Sequence, residues 1–136
     1  MTAVDLPVLP PRVSADDIRS ALALYRFAIL DEHRLHRTLE GILDDRGVRY
    51  QREHSLRDAR NGKAVGRIDF LTEDGIGIEV KVKGTPVDVA RQLRRYASSG
   101  VLRELLLVTT VRRHAQDIPT MVGNVPVTFA VLGGGF

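Results

Sequence analysis

The 136-residue sequence contains no cysteine, and this absence excludes several kinds of chemistry at once. Without thiols there is no disulfide framework, no thiolate nucleophile and no zinc site built on sulfur. No apolar run reaches the roughly 18 residues that a membrane helix requires, and the N-terminus lacks the basic and apolar blocks of a secretory signal. We therefore expect a cytoplasmic protein with no membrane partner, in which carboxylates are the expected ligands of any metal.

Lysine is scarce as well, because only three of the 20 basic residues are lysines and the other 17 are arginines. Against 17 acidic residues the formal net charge is +3. The distribution is uneven, since residues 46–67 hold seven basic and two acidic residues, a local charge of +5. An arginine-favouring genome explains this composition, and so does contact with phosphate. The composition therefore permits a nucleic-acid partner without indicating one by itself.

Hydrophobic periodicity predicts one α/β domain over residues 14–132, between an extended arm at 1–13 and a flexible glycine-rich tail at 133–136. Ser14 followed by Asp17 predicts the start of a helix. The predicted elements, in chain order, are helices at about 15–30 and 32–46, strands at 48–56, 66–72 and 76–83, a helix from Pro86 that ends before Gly100, and strands at 105–110 and 126–132. A helical crossover makes the third and fourth strands parallel, so we expect a mixed sheet flanked by helices.

The strand at 76–83 alternates in polarity with a period of two. Its isoleucines and valines face the predicted core, so Glu79 and Lys81 face the other side of the sheet, about 7 Å apart. A lysine at this spacing can orient a nucleophile and offset charge in a phosphoryl transition state beside a bound metal. The same pattern also occurs on an ordinary solvated strand face.

A second carboxylate is expected beside Glu79. In the preceding strand, Ile68 and Phe70 take the core side, so Asp69 lies on the opposite face. The turn signal at residues 73–75 predicts a hairpin that brings Asp69 next to Glu79. Two such carboxylates suit a hard cation such as Mg²⁺.

The helix that begins at Pro86 adds polar groups to this region. Gln92 and Tyr96 are four residues apart on one helix face, beside the stripe that packs on the sheet. Their amide and hydroxyl groups can reach a phosphate or a base near the edge of the sheet. Positive charge on the exposed side comes from Arg91, Arg94 and Arg95. Arginines of this kind are also common on solvated helix faces.

Three sequence elements together resemble the PD-(D/E)XK nuclease superfamily. They are Asp69, the segment 79–81 (Glu-Val-Lys) and the segment 92–96 (Gln-Leu-Arg-Arg-Tyr), whose QxxxY pattern is similar to that of phage and recombination exonucleases and small resolvases. The resemblance covers roughly residues 32–110, and it departs from the family pattern at Ile68, where many members have proline. It implies a restriction-endonuclease-like fold with an αβββαβ core.

The resemblance also implies a metal centre. Asp69 and Glu79 would bind Mg²⁺, for which Mn²⁺ would substitute, and the backbone carbonyl of Val80 would complete the site. Many members carry a further glutamate on the helix before the first core strand, and Glu40 occupies a suitable position. Glu53, on the first strand, is the alternative.

The remaining roles follow from the same resemblance. Lys81 would position or activate the attacking water, and Gln92 and Tyr96 would support the site or the DNA phosphate. The expected activity is hydrolysis of DNA to 5′-phosphate and 3′-hydroxyl products in recombination, repair or phage DNA processing, by a homo-oligomer. The basic residues expected to contact DNA are Arg57, Arg60 and Lys63 in the loop at 57–66, together with Arg67, Lys83, Arg91, Arg94 and Arg95.

Two other interpretations are open at this point. The chain could be a catalytically inactive nucleic-acid-binding or assembly module on the same fold, although every polar position of the motif is filled. His33 and His36 are three residues apart on one helix, as a transition-metal pair could be, but no carboxylate motif accompanies them in sequence. We expect these two histidines to lie on the surface.

Overall fold

A computed structural model describes residues 13–23 and 31–133 of the chain, as an open six-stranded sheet with helices on both faces. The described helices are α1 (Ala15–Leu22), α2 (Glu32–Asp45), α3 (Pro86–Ala97) and α4 (Arg112–Asp117), and none of them is long and apolar enough to cross a membrane. The strands are β1 (Tyr50–Arg57), β2 (Ala64–Thr72), β3 (Ile76–Lys81), β4 (Glu104–Thr109), β5 (Met121–Val122) and β6 (Val125–Val131). Most of the predicted arm and tail, and the second half of the first predicted helix, lie outside the described residues.

Side-chain caps fix the starts of the three longer helices. Ser14 and Asp17 form a reciprocal capping box at α1, which confirms the predicted helix start. The carboxylate of Asp31 accepts a backbone N–H at the start of α2. Thr85 caps α3 with Pro86 at its first position, where a missing N–H costs nothing.

The sheet has the strand order β1-β2-β3-β4-β6-β5. The first three strands form an antiparallel meander, whereas β3, β4 and β6 run parallel to one another and β5 pairs antiparallel with β6. The parallel pairing of β3 with β4 across α3 confirms the predicted crossover and the mixed sheet. The α/β class is therefore correct.

Two hydrophobic cores lie on opposite faces of the sheet. The first contains the buried residues of α1 and α2 and one face of the central strands, including Ile18, Leu22, Leu35, Leu39, Ile42, Leu43, Phe70, Ile76, Ile78, Val80, Leu106 and Val108. The second contains the buried face of α3 and the other face of the strands, including Leu56, Ile68, Val89, Leu93, Tyr96, Leu105, Leu107 and Ile118. Both faces of β3 are therefore covered, and Glu79 is only 3% exposed.

One predicted side-chain alternation is wrong. Ile68 and Phe70 were expected on the same side of β2, but Phe70 packs in the first core and Ile68 in the second. Between the register pairs Arg52–Phe70 and His54–Ile68, Glu53 and Asp69 are not paired, and Glu53 has a φ of 49°, although the register itself shifts only further along, between Leu56 and Arg57. Asp69 lies at this irregularity rather than on a regular strand face.

Some element boundaries also differ from the prediction. The third strand ends at Lys81, two residues early, because the chain turns through Gly84, whose φ of 105° favours glycine, before α3 begins. Lys83 therefore follows the strand instead of belonging to it. The helix α4 and the strand β5 were not predicted, since six and two residues are too short for a periodic pattern.

Candidate metal centre and active site

The hairpin formed by β2 and β3 divides into two parts. Near its turn the strands are in register at Phe70–Ile78 and Leu71–Gly77. At the next residues, side chains join the strands, because the backbone N–H of Asp69 donates to Glu79 Oε1 (3.2 Å) and the N–H of Val80 donates to Asp69 Oδ2 (2.8 Å). We call Asp69, Glu79 and Val80 the open end of the hairpin. Each of its two carboxylates therefore accepts a hydrogen bond from the backbone of the opposite strand.

The Glu79 carboxylate lies in a buried and charged environment. Burial, followed by the nearby charge of Asp69, raises the pKa of Glu79 to about 7, while Lys81 acts in the opposite direction. The ammonium Nζ of Lys81 lies 3.5 Å from Glu79 Oε2 and is partly exposed. The structure thus brings together the three residues of the predicted D…ExK motif.

Gln92 and Tyr96 contact this site from α3. Gln92 Nε2 donates to the Tyr96 hydroxyl (2.8 Å), and that hydroxyl lies 2.9 Å from the Arg67 carbonyl and 3.3 Å from Glu79 Oε2. Tyr96 is fully buried, and this burial, with the charge of Glu79, holds its pKa well above the ordinary value. Tyr96 was expected to support either the site or the DNA phosphate. In the structure its hydroxyl contacts Glu79 and the backbone of β2.

A glycine in β2 makes room for the Tyr96 ring. A Cβ at Gly66 would lie 2.9 Å from Cε1 of Tyr96, closer than side-chain carbons approach. The φ of 132° at Gly66 is also a conformation that other residues rarely adopt. Gly66 therefore lets α3 pack close enough for the Tyr96 hydroxyl to reach Glu79.

The helix α2 brings further donors to Asp69 from the other side of the sheet. Glu32, His36 and Glu40 are spaced four residues apart, so they follow one ridge of the helix. His36 Nε2 lies 3.5 Å from Asp69 Oδ2, and this contact raises the pKa of His36 despite its partial burial. One ligand atom from each of Glu32, His36 and Asp69 lies within 4.8 Å of the other two. These three residues could hold a metal ion.

The expectation of a surface position is wrong for His36. Its side chain is only 16% exposed, and its ring packs against Phe70 at a tilt of 45° with the centroids 5.4 Å apart. His33, by contrast, is exposed as expected. Sequence reasoning missed His36 and Glu32 as candidate ligands, and the signal that could have identified them is their i, i+4 spacing on the polar side of α2.

The two glutamates considered as extra metal ligands lie elsewhere. Glu40 Oε2 is 3.4 Å from the Arg52 guanidinium, and Glu40 does not belong to the group formed by Glu32, His36 and Asp69. Glu53 is exposed on the edge strand β1, at the residue with positive φ.

The basic residues proposed for DNA contact are exposed, and they are distributed over β1, the β1–β2 loop, β2, the connection after β3, and α3. The loop between β1 and β2 is fixed in place, since Ala59 N donates to the Ser98 carbonyl at the end of α3. Arg57 stiffens the same loop by donating to the Gly62 carbonyl (2.9 Å). The eight exposed residues are Arg57, Arg60, Lys63, Arg67, Lys83, Arg91, Arg94 and Arg95.

The chemistry of the donor set fits a divalent cation. Asp69 and Glu79 are like charges in direct proximity, an arrangement that is unfavourable unless a cation or a proton neutralises part of the charge. Carboxylate oxygens suit Mg²⁺, and an imidazole nitrogen adds affinity for Mn²⁺ and later transition metals. Comparison of the chain with protein-family models, with curated proteins and with solved structures finds no match in any of the three.

Proposed function

We propose that the protein is a Mg²⁺- or Mn²⁺-dependent DNA nuclease of the PD-(D/E)XK type. The observation that carries this proposal is the open end of the β2–β3 hairpin. There, two carboxylates are held against each other's strands, and Lys81 Nζ lies 3.5 Å from the more buried one, Glu79. An acid pair of this kind can hold a metal that activates water and polarises a phosphoryl oxygen, and an adjacent ammonium group can offset the charge that develops on the phosphate.

The order of elements supports the same proposal. From α2 to β4 the chain runs helix, three antiparallel strands, helix and a parallel strand, which is the order of a restriction-endonuclease-like αβββαβ core. The carboxylates lie on the second and third strands, and the Gln92–Tyr96 pair lies on the helix that follows. These positions of the motif residues support the proposal.

Asp69 and Glu79 would hold the metal, and the Val80 carbonyl is the third ligand that the resemblance implies. Glu32 and His36 approach Asp69 from α2, so they are better situated to add a ligand than Glu40, which is paired with Arg52. When bound, the metal supplies polarisation of a phosphoryl oxygen and a lower pKa for its water.

The remaining site residues act around these carboxylates. The Lys81 ammonium orients the attacking water and offsets negative charge on the phosphate. Tyr96, itself held by Gln92, keeps Glu79 Oε2 in a fixed position. The exposed arginines and lysines of the β1–β2 loop and α3 bind the DNA backbone, so binding weakens as salt increases. A small domain offers a limited footprint on DNA, and we expect a homo-oligomer.

The proposal is tested by a cleavage assay on single-stranded, linear duplex, nicked and four-way-junction DNA, with Mg²⁺, with Mn²⁺ and with EDTA. Metal-dependent cleavage that leaves 5′-phosphate and 3′-hydroxyl ends is expected. Asp69→Asn should slow cleavage by about 1,000-fold, because losing a metal ligand removes several kcal/mol of transition-state stabilisation. Glu73→Gln, an exposed acid in the turn of the same hairpin, is the matched control and should cleave normally.

Two outcomes would contradict the proposal. Cleavage that is undiminished in Asp69→Asn would remove the site assignment. Salt-sensitive DNA binding by the wild-type chain without cleavage of any of the four substrates would favour a catalytically inactive DNA-binding module instead.

A further inference from the structure

His114 is a fully buried histidine that the proposed mechanism does not use. It lies on the short helix α4 with none of its surface exposed, and both ring nitrogens are within hydrogen-bond distance of a partner. Nδ1 is 2.7 Å from the Thr109 hydroxyl, and Nε2 is 2.7 Å from the Gly84 carbonyl oxygen. The side chain therefore connects the end of β4 to the connection between β3 and α3.

The partners of His114 determine which nitrogen carries the proton. The Gly84 carbonyl can only accept, so Nε2 donates to it. The neutral ring then accepts at Nδ1 from the Thr109 hydroxyl, whose oxygen in turn accepts from the backbone N–H of Val111 (3.0 Å). Every group in this chain of hydrogen bonds is satisfied in the Nε2–H form. The opposite tautomer would leave the Gly84 carbonyl without its donor.

Both ends of this connection are adjacent to Lys81. Thr109 is the register partner of Lys81 across the β3–β4 pair, and Gly84 is the third residue after Lys81 in the chain. The N–H of Thr110 also donates to the Lys81 carbonyl (3.3 Å). The segment 81–84 is thus held by β4 on one side and by His114 where it turns toward α3.

We propose that His114 is a positioning residue, which fixes the segment 81–84 through the Gly84 carbonyl and thereby sets the location of the Lys81 ammonium. The kinetic part of this inference rests on the proposed function, in which Lys81 orients the attacking water. Lys81 is the last residue of β3 and α3 begins only at Pro86, so residues 82–84, which follow Lys81, belong to no regular strand. A small displacement of a catalytic group reduces turnover steeply, whereas it changes substrate affinity little.

Two substitutions separate positioning from simple filling of the core. The amide nitrogen of glutamine reaches the position of histidine Nε2, so His114→Gln retains the donor to Gly84 but not the acceptor for Thr109. Asparagine is shorter, so His114→Asn retains an acceptor for Thr109 but loses the donor to Gly84. Each variant retains one hydrogen bond of two, but asparagine is the smaller side chain at a fully buried position, so a lower melting temperature is expected for His114→Asn than for His114→Gln. The variants therefore differ in the hydrogen bond to the Gly84 carbonyl, which only His114→Gln retains.

The kinetic test compares kcat and KM of wild type and both variants on the best-cleaved DNA. We expect kcat of His114→Asn to fall by about 10- to 100-fold at unchanged KM, and kcat of His114→Gln to stay within about threefold of wild type. Equal losses of kcat in the two variants, or no loss in either, would overturn the positioning role.

A second measurement does not depend on cleavage, so it separates failure of this inference from failure of the proposed function. In the wild-type protein, ¹⁵N NMR of the His114 ring should report a protonated Nε2 and an unprotonated Nδ1. Backbone order parameters from Lys81 to Thr85 should fall in His114→Asn and be retained in His114→Gln. An Nδ1–H tautomer, or order parameters that are the same in all three proteins, would overturn the inference even if the enzyme cleaves DNA.

Discussion

The two ends of the β2–β3 hairpin differ in how their backbone N–H groups are hydrogen-bonded. Near the turn, the register pairs Phe70–Ile78 and Leu71–Gly77 satisfy the backbone groups with each other. At the open end, the N–H groups of Asp69 and Val80 are satisfied by carboxylates instead. Buried backbone donors are paired in both cases, as they must be. At the open end, however, these hydrogen bonds also hold the carboxylates of Asp69 and Glu79 in place.

This difference separates stability from chemistry along a single hairpin. The paired end buries apolar side chains such as Phe70 and Ile78, whose removal from water stabilises the fold. The open end buries Glu79 beside a second carboxylate, which destabilises the metal-free protein. Substitutions at the paired end should therefore change unfolding, whereas substitutions at the open end should change cleavage.

The largest contrast is expected between two lysines that are two residues apart. Lys81→Met should reduce kcat by about 100-fold. The substitution removes the ammonium group that lies 3.5 Å from Glu79 and that offsets negative charge on the reacting phosphate. Lys83→Met is the matched control, since Lys83 is exposed and follows the end of β3. It should weaken DNA binding slightly and leave kcat unchanged. Equal effects of the two substitutions on kcat would show that position relative to the open end does not matter.

The pH dependence of stability in EDTA should come next in size. The folded-state pKa of Glu79, about 7, exceeds its ordinary value of 4.5, so the folded protein binds more protons between these values and the unfolding free energy falls as pH rises. The raised pKa of His36 acts with the same sign, because stability from protonated His36 is lost as pH rises through its folded value. We expect a loss of about 2 kcal/mol between about pH 5 and pH 8.

Chemical denaturation at several pH values measures this slope. Glu79→Gln should flatten most of it, since a neutral amide does not titrate, and added Mn²⁺ should stabilise the protein more at higher pH, where its ligands are deprotonated. A slope of the opposite sign, or one unchanged in Glu79→Gln, would contradict the assignment of the buried charge.

The smallest effect is expected at the paired end. Ile78→Val removes one buried methylene group from the first core and should lower the unfolding free energy by about 1 kcal/mol. Turnover should be unaffected, because Ile78 faces α1 and α2 rather than the carboxylates. Denaturant unfolding and kcat measured on the same preparation check both statements. A large loss of turnover without a loss of stability would contradict the assignment of stability to the paired end and of cleavage to the open end.

The fold was largely predictable because its signals are local. Strand alternation, the helix caps at Ser14 and Thr85 and the turn at residues 73–75 act over a few neighbours, and they fixed the element order and the parallel β3–β4 pair. The pairing of Asp69 with Glu79 followed from that hairpin. The break in alternation at Asp69 was not predictable, because neither Asp69 nor Glu53, its unpaired neighbour on β1 with a positive φ, interrupts the strand pattern in the sequence.

The parts of the site that sequence did not reveal depend on contacts between distant segments. His36 reaches Asp69 only because α2 packs on the sheet beside β2, and the two positions are separated by 33 in the chain numbering. His114 reaches Gly84 across 30 residues, through an element too short to be recognised from periodicity. Neither histidine is marked by a motif near it, so the side-chain type alone could not assign the contact.

The central claim is that the open end of the hairpin is a divalent-metal centre, and Mn²⁺ binding tests it most directly. Electron paramagnetic resonance of free Mn²⁺ counts the ions bound by wild type, Asp69→Asn and the control Glu40→Gln, in which only the residue paired with Arg52 is changed. We predict at least one bound Mn²⁺ per wild-type chain, retained in Glu40→Gln and lost in Asp69→Asn. No bound ion in wild type, or equal binding in all three proteins, would contradict the account.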